Sequence, residues 1–261
     1  MHCTKCENEA ILYQDYSGQH LCLKHFAADV EAKARKAIRQ HHWLRSGDHI
    51  GVPLSCDPKT GALLMFLADL VKTRPDIRLT AIFPTCAGNG MADPGAARTL
   101  AGSLGIPGFD CPCREPGSPC PVMQTAREKG VTRLASGAGL EETAYTALRY
   151  ILDGNIECIL QDQPGETPIL PVITPFLTIP VEEILLYAGI RGIEGNYTPD
   201  ASGDSFQNDV DALLGRFTCN HPATPYAVVN LITTIAPDVI ASGSLVRDRL
   251  CRHCTCYPND G

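Results

Sequence analysis

Stretches of helical and of strand-like hydrophobic periodicity alternate along most of this chain. Short apolar runs bounded by turn residues predict strands, and longer stretches with an apolar residue at every third or fourth position predict helices. We expect strands at 49–54, 78–83, 106–110 and 132–136. We expect helices at 26–45, 60–72, 94–104, 120–129, 141–152, 181–188, 205–217 and 225–235.

Strands that alternate with helices of this length predict right-handed crossover connections. The expected fold class is therefore α/β, with a parallel sheet covered by helices on both faces. Cysteine-rich segments flank this region at both ends of the chain. The expected division is a zinc-binding knuckle at 1–26, a basic linker helix at 27–47, the α/β domain at 48–200, a helical region at 201–248 and a cysteine-rich tail at 249–261.

The composition predicts a globular protein of the cytoplasm. The 261 residues are 44% hydrophobic and 20% charged, which suffices for a full core. No stretch approaches the roughly 20 apolar residues of a membrane helix, and the Met-His-Cys start does not resemble a secretory leader, so we expect no membrane association. The 13 cysteines occur in close pairs, which in a reducing cytoplasm favours metal ligation or redox chemistry over disulfides.

The formal net charge of -7 argues against a broadly cationic protein that binds nucleic acid regardless of sequence. A local basic face is nevertheless expected within 33–45, and a solvated helix surface would explain the same residues. The basic side chains there are Lys33, Arg35, Lys36, Arg39, His41, His42 and Arg45.

The N-terminal segment contains two metal-ligand pairs, each with two residues between its members. Cys3 and Cys6 form the first pair, and Cys22 and His25 form the second. Three thiolates and one imidazole at this spacing predict a closed tetrahedral zinc site. Because so short a segment has no core of its own, the bound metal is expected to supply its folding free energy.

Cysteines also follow three of the predicted strands. Cys56 comes after the first strand and Cys86 after the second. Cys111, Cys113 and Cys120 come after the third. Ligands of open parallel sheets bind at the carboxyl ends of the strands. We therefore expect these thiols at one edge of the sheet, and the chemistry of the protein with them.

The succession of zinc knuckle, basic helix, strand, Ser-x-x-x-Lys loop and helix resembles the TtuA-type tRNA 2-thiouridine synthetases, in the TtcA/TtuA group of PP-loop ATPases. The likeness extends over almost the whole chain. Residues 137–144 are similar to the family's Gly-His-Asn-Leu-Asp-Asp-Glu-Ala stretch, and 172–176, 181–185 and 189–193 are similar to the segments that follow it. The residues that match the family's zinc ligands are Cys3, Cys6, Cys22, His25, Cys251 and Cys254.

The resemblance implies a PP-loop fold of the adenine-nucleotide alpha-hydrolase type and a defined reaction. ATP adenylates the C2 oxygen of a tRNA pyrimidine, and sulfur held on a 4Fe-4S cluster then displaces AMP. The implied partners are tRNA, a sulfur-carrier protein and a second copy of the chain in a homodimer. The implied nucleotide-binding residues are Ser55, Lys59, Thr60 and Gly137, and the implied catalytic residues are Cys120, Glu141 and Glu142.

The predicted phosphate loop departs from the family's Ser-Gly-Gly-Lys-Asp-Ser. Ser55 and Lys59 remain, but Cys56, Asp57 and Pro58 replace the glycine stretch. Proline removes an amide donor, and an aspartate places negative charge against a phosphate. The sequence therefore argues against ordinary binding of ATP and magnesium.

The family's Cys-x-x-Cys cluster motif retains only Cys120 in this chain. Cys86, Cys111 and Cys113 are additional thiols that could rebuild a 4Fe-4S site with it, and Cys56 is an alternative fourth ligand. A zinc site with the same ligands and a set of buried structural thiols are the other interpretations. Three thiols near the C-terminus are further candidate metal ligands: Cys251, Cys254 and Cys256.

Two functions therefore compete. One is a divergent sulfur transferase of the tRNA-thiolation type, which the basic helix, the zinc knuckle and the surviving Ser55 and Lys59 support. The other is a scaffold or partner protein that carries metal and has lost ATP chemistry, which the altered loop and the relocated cysteines support. Three site residues also have plainer explanations, because Lys59 could be solvated and Glu141 and Glu142 could simply stabilise a helix N-terminus.

Overall fold

The computed structural model describes residues 1–55, 57–85, 94–112, 121–154, 170–193, 195 and 205–241. The strands in these ranges are β1 (Leu12–Gln14), β2 (Gln19–Leu21), β3 (His49–Pro53), β4 (Arg78–Thr85), β5 (Gly108–Pro112), β6 (Arg133–Ala135) and β7 (Val172–Ile173). The helices are α1 (Leu23–Gln40), α2 (Pro58–Val71), α3 (Pro94–Ser103), α4 (Pro121–Glu128), α5 (Leu140–Leu152), α6 (Val181–Ile190), α7 (Ser205–Asn220) and α8 (Thr224–Ala241).

Five strands form one parallel sheet in the order β5-β4-β3-β6-β7. The α/β class expected from the sequence is thereby confirmed. Successive residues of a strand point to opposite faces of the sheet. Ala81 and Phe83 accordingly join one buried apolar cluster, which includes residues of α1, α2, α5 and α6, while Ile82 joins a second cluster with residues of α4. Both faces of the sheet are therefore covered by helices.

The central strand β3 leaves no room for a side chain at Gly51. A Cβ atom there would lie 2.9 Å from Cδ1 of Ile82 and 3.1 Å from Cγ1 of Val131. The flanking residues Ile50 and Val52 are fully buried on the opposite face. β3 lies between β4 and β6, so the loop that follows it can contact the loops that follow both neighbours.

All four predicted strands are present, but the third is displaced. It was expected at 106–110 and runs from Gly108 to Pro112, so Cys111 lies within the strand and does not follow it. The antiparallel hairpin of β1 and β2 and the two-residue β7 were not predicted, because runs of two or three residues carry too little periodicity.

The helix predicted at 26–45 is shorter than expected at its C-terminal end. His42 has a φ of 51°, a left-handed conformation that ends a helix, and the N–H of Trp43 donates to the carbonyl of Ile38 at 3.2 Å. Trp43 is buried and its ring stacks on His41 at 4.6 Å between centroids. Burial of this indole accounts for the turn at the end of α1.

A buried polar cluster attaches the β1–β2 hairpin to the α/β domain. Glu183 of α6 is 6% exposed and accepts hydrogen bonds from Nε2 of Gln14 at 3.1 and 3.2 Å and from the hydroxyl of Tyr16 at 2.6 Å. Nζ of Lys33 lies 3.6 Å from the same carboxylate and 2.6 Å from Asp29. Hairpin, α1 and α6 are thus joined through one carboxylate.

The two C-terminal helices pack on the domain as a pair, since α7 and α8 contact α5 and each other. Within the described ranges, no helix has both the length and the apolar character needed to cross a membrane.

The domain boundaries expected from the sequence stay predictions.

Candidate metal centre and phosphate loop

The four predicted ligands of the N-terminal zinc site lie together. Cys3 and Cys6 precede the hairpin, and Cys22 and His25 begin α1 directly after it. Their ligand atoms all lie within 4.8 Å of one another. Sγ of Cys6 and Sγ of Cys22 are 3.7 Å apart, and Nδ1 of His25 is 3.4 Å from Sγ of both Cys3 and Cys22. Tetrahedral zinc with bonds of about 2.3 Å has ligand–ligand edges of about 3.8 Å. These residues therefore could hold one metal ion.

The thiols of this centre differ in how readily they ionise. Burial opposes ionisation of Cys3, but the backbone N–H groups of Cys22 and Lys5 and the side chains of His25 and Cys22 outweigh it and lower the pKa of Cys3 to about 6. The backbone at Asn8 lowers the pKa of Cys6, whereas burial and the two neighbouring thiols outweigh it, so that this pKa is raised. A bound cation would hold all three thiols as thiolates.

The loops after β3 and β6 meet at the carboxyl edge of the sheet, because these strands are neighbours. A Cβ atom at Gly137 would lie 3.2 Å from the carbonyl carbon and oxygen of Lys59, so the second loop lies directly against the first turn of α2. The hydroxyl of Thr60 donates to the carbonyl of Asp57 at 2.9 Å, and the hydroxyl of Ser55 accepts from the N–H of Asp57 at 3.3 Å. The four predicted nucleotide-binding residues therefore belong to one compact arrangement.

Lys59 is buried in this arrangement and not solvated, with 3% of its surface exposed. Its Nζ lies 3.1 Å from Oδ2 of Asp57 and donates to Oε1 of Glu142 at the start of α5. The other oxygen of Glu142 accepts from the N–H of Gly139 at 2.9 Å. Lys59 is thus held between two carboxylates of the chain.

Glu141 also has a structural contact. Its Oε2 accepts from the N–H of Val181, the first residue of α6, at 2.9 Å. The bond satisfies a helix N-terminal donor and joins α5 to α6. The catalytic roles expected for Glu141 and Glu142 stay predictions.

Cys111 lies among apolar side chains in the interior. It is fully buried in the cluster that contains Val122 and Met123, and its Sγ donates to the hydroxyl of Thr125 at 3.7 Å. This environment is typical of a structural thiol. The other thiols predicted for metal centres lie outside the described residues, and a shared centre stays a prediction for them: Cys56, Cys86, Cys113, Cys120, Cys251, Cys254 and Cys256.

The basic face predicted within 33–45 divides into two sets. Lys33 pairs with Asp29 at 2.6 Å, and Arg35 pairs with Glu31 at 2.9 Å. Lys36, Arg39, His42 and Arg45 are exposed, whereas His41 is half-buried. Across the described ranges, none of these exposed cations makes an ion pair.

The sequence interpretation assigned no role in the folded protein to Asp57 or Glu183. An aspartate directly before a proline is a recognised helix-start signal, which could have identified Asp57 as the N-cap of α2. Glu183 was read only as part of a motif, and no local signal predicts its contact with Gln14, since 169 residues separate the two.

Comparisons with known proteins extend from the N-terminal segment to the fold. Residues 2–27 match the family model of the 2-thiouridine synthetase TtuA N-terminal LIM domain. The tRNA 2-thiolation protein NcsA of Haloferax volcanii is 25% identical over 88% of this chain and 85% of that protein. The "Probable sulfurtransferase" of Methanocaldococcus jannaschii is 26% identical over 74% of this chain and 66% of that protein.

A solved structure has the same fold. The U34-tRNA thiolase NcsA from Methanococcus maripaludis, determined with its 4Fe-4S cluster, superposes with a TM-score of 0.77 and 21% identity over 91% of this chain and 87% of that one. These similarities confirm the fold class and the resemblance to the TtuA-type group that the sequence predicts.

Proposed function

We propose that this chain, a relative of the TtuA-type tRNA 2-thiouridine synthetases, is a metal-carrying sulfur transferase of the cytoplasm that acts on tRNA. The sulfur-transfer part rests on the relatives' activities, which are tRNA 2-thiolation and sulfur transfer. The observation in this structure that supports a tRNA substrate is the solvent face of α1, which presents cations in a chain of net charge -7.

The two acidic residues of α1 are half-buried and paired with other side chains. Asp29 contacts Lys33 and Gln14, and Glu31 contacts Arg35 and Arg191. The exposed positions from Lys24 onward form one stripe with helical spacing, and Leu23 beside it is exposed as well: Lys24, Ala28, Ala32, Lys36, Arg39 and Gln40. Arg45, beyond the end of α1, is also exposed. The alanines between these cations are small and uncharged, so they do not obstruct contacts between the cations and the phosphates of a nucleic acid.

The solvent face of α1 yields a binding prediction. Replacing Lys36 and Arg39 together by Glu is expected to weaken binding of tRNA at least about tenfold and to lower the salt dependence by about two phosphate contacts. Filter-binding titrations across salt concentrations measure both. Lys129→Glu with Arg216→Glu changes the charge equally at exposed positions outside α1 and should leave binding unchanged. Equal weakening by both pairs would contradict a role for this face.

Zinc is the metal we propose for Cys3, Cys6, Cys22 and His25, because three thiolates and an imidazole at tetrahedral spacing suit it. Bound there, zinc supplies a structural cross-link and neutralises the thiolates. A 4Fe-4S cluster is proposed on Cys86, Cys111, Cys113 and Cys120, with Cys56 as an alternative fourth ligand. Cys111 is fully buried, which is compatible with a cluster ligand and equally with a structural thiol. Iron and acid-labile sulfide counts after anaerobic purification test it.

The proposed activity is tested on cellular tRNA. Deleting the gene is expected to remove a thiolated pyrimidine from tRNA hydrolysates analysed by mass spectrometry, and expression of the intact chain should restore it. An unchanged nucleoside profile would exclude the activity. A sulfur-carrier protein as donor and a homodimer stay predictions.

A second candidate function is a metal-carrying scaffold without ATP chemistry. It is favoured because carboxylates of the chain already pair with the cation of the predicted phosphate loop. Two carboxylates already surround the ammonium of Lys59. Release of pyrophosphate from ATP in the presence of tRNA separates the two functions, because only a transferase that adenylates its acceptor releases it.

A further inference from the structure

We propose that the loop between β3 and α2 is closed to nucleotide phosphates by a carboxylate of the chain itself, that of Asp57. The ATP that the fold family implies does not fit the residues present at this loop. This inference concerns the loop alone and does not depend on tRNA being the substrate.

The backbone donors of the first turn of α2 are absent or already used. Phosphates bind helix N-termini through free N–H groups. Pro58 at the first position has none. The N–H of Lys59 donates to Oδ1 of Asp57 at 2.9 Å, and the N–H of Thr60 donates to the backbone carbonyl of Asp57 at 3.0 Å. Asp57 therefore receives both hydrogen bonds that these two amides could offer to a phosphate.

The side-chain cation of the loop is likewise engaged. Oδ2 of Asp57 lies 3.1 Å from Nζ of Lys59, so one carboxylate binds both the amide and the ammonium of the same residue. A phosphate oxygen would need these two donors together. Glu142 also contacts the ammonium, and its second oxygen is held by the N–H of Gly139. An incoming phosphate would meet two negative charges around one positive charge.

The neighbouring loop restricts the space as well. Gly137 lies so close to the first turn of α2 that a Cβ atom would be 3.2 Å from the carbonyl oxygen of Lys59 and 3.3 Å from the nitrogen of Thr60. The side of this turn that faces β6 is therefore filled by backbone. The carboxylate of Asp57 thus takes the hydrogen bonds that a phosphate would need, and the backbone at Gly137 limits the space beside them.

The proposal is tested by calorimetry on the full chain with MgATP and with pyrophosphate as probes. Wild type is expected to bind either no tighter than ~1 mM. Asp57→Gly removes the carboxylate and is expected to bind pyrophosphate at least about tenfold more tightly than wild type, since it frees the amide of Lys59 and leaves the ammonium with Glu142 as the remaining carboxylate described around it. Glycine is itself tolerated at a helix N-cap, so the variant should fold, which its thermal unfolding checks.

Asp57→Asn is the matched control. It removes the same charge but keeps an oxygen that can accept from the N–H of Lys59, so it is expected to bind pyrophosphate distinctly more weakly than Asp57→Gly. Micromolar binding of MgATP by wild type would overturn the proposal. So would equal affinities for Asp57→Gly and wild type, since the closure would then not depend on this carboxylate. Wild-type binding no tighter than ~1 mM would also count against an ATP-dependent transferase and in favour of the metal-carrying scaffold. Whether tRNA is thiolated is decided separately by the nucleoside assay.

Discussion

Replacing Cys22 by Ala is expected to unfold the segment before α1 and to release the zinc proposed for it. The segment has two strands of three residues each, and its only fully buried apolar side chain is Leu21. The chain order places Cys22 between the hairpin and α1, so its loss affects both elements. Structural zinc contributes about 10–16 kcal/mol of folding free energy in comparable small sites, far more than this hairpin can replace.

The expected result is loss of one zinc per chain by elemental analysis, with fast hydrogen exchange across residues 1–25. Cys219→Ala is the control, because this exposed cysteine on α7 lies outside the centre. Chelation of the wild-type protein should reproduce the exchange pattern of Cys22→Ala. A variant that retains stoichiometric zinc and slow exchange would show that the four residues do not act as one ligand set.

Replacing Glu183 by Ala is expected to lower the free energy of unfolding by about 1–3 kcal/mol, the usual effect of leaving buried hydrogen-bond donors without their acceptor. The amide of Gln14 would lose two hydrogen bonds and the hydroxyl of Tyr16 one. Lys33 would keep its pairing with Asp29. Denaturant unfolding measures the loss, and faster exchange in the β1–β2 hairpin would show that the hairpin has separated from α6.

Glu183→Gln separates the charge of this side chain from its hydrogen bonds. Burial raises the pKa of Glu183, while Tyr16, Lys33 and Gln14 oppose the shift only in part and Asp29 adds to it. A carboxyl group whose pKa is higher in the folded protein stabilises the fold most below its unfolded pKa of about 4.3, and that contribution is lost as the pH rises through the folded pKa.

Wild type should therefore lose stability relative to Glu183→Gln as the pH rises from about 4 towards neutrality. The glutamine variant should be close to wild type at neutral pH, because its amide oxygen still accepts from Gln14 and Tyr16. Chemical unfolding of both proteins at several pH values measures the difference. A difference that does not change with pH would mean that the carboxyl does not titrate differently in the two states.

Local patterns in the sequence were sufficient to predict much of the architecture. Apolar periodicity placed every large helix and four of the five strands of the parallel sheet, because burial of one face imposes that spacing on the chain. The ligands of the N-terminal centre were equally visible, since a tetrahedral metal constrains residues that are close in sequence. The end of α1 was missed because burial of Trp43, a tertiary effect, overrides the helical pattern that continues to Arg45.

The ion pairs at the carboxyl edge of the sheet could not be predicted, because they join residues that are far apart in the sequence. Lys59 and Glu142 are 83 residues apart and meet only because β3 and β6 are neighbours in the sheet. A displacement of two residues in β5 placed Cys111 within the strand, next to its last residue, where its side chain is buried.

Sequence alone thus determined the fold class, the helices and the N-terminal ligand set, since periodicity and ligand spacing act over short stretches of chain. Only the tertiary structure decided which carboxylate meets which cation and which thiol is buried. Those pairings follow from strand order and register, which are set by the packing of the whole domain.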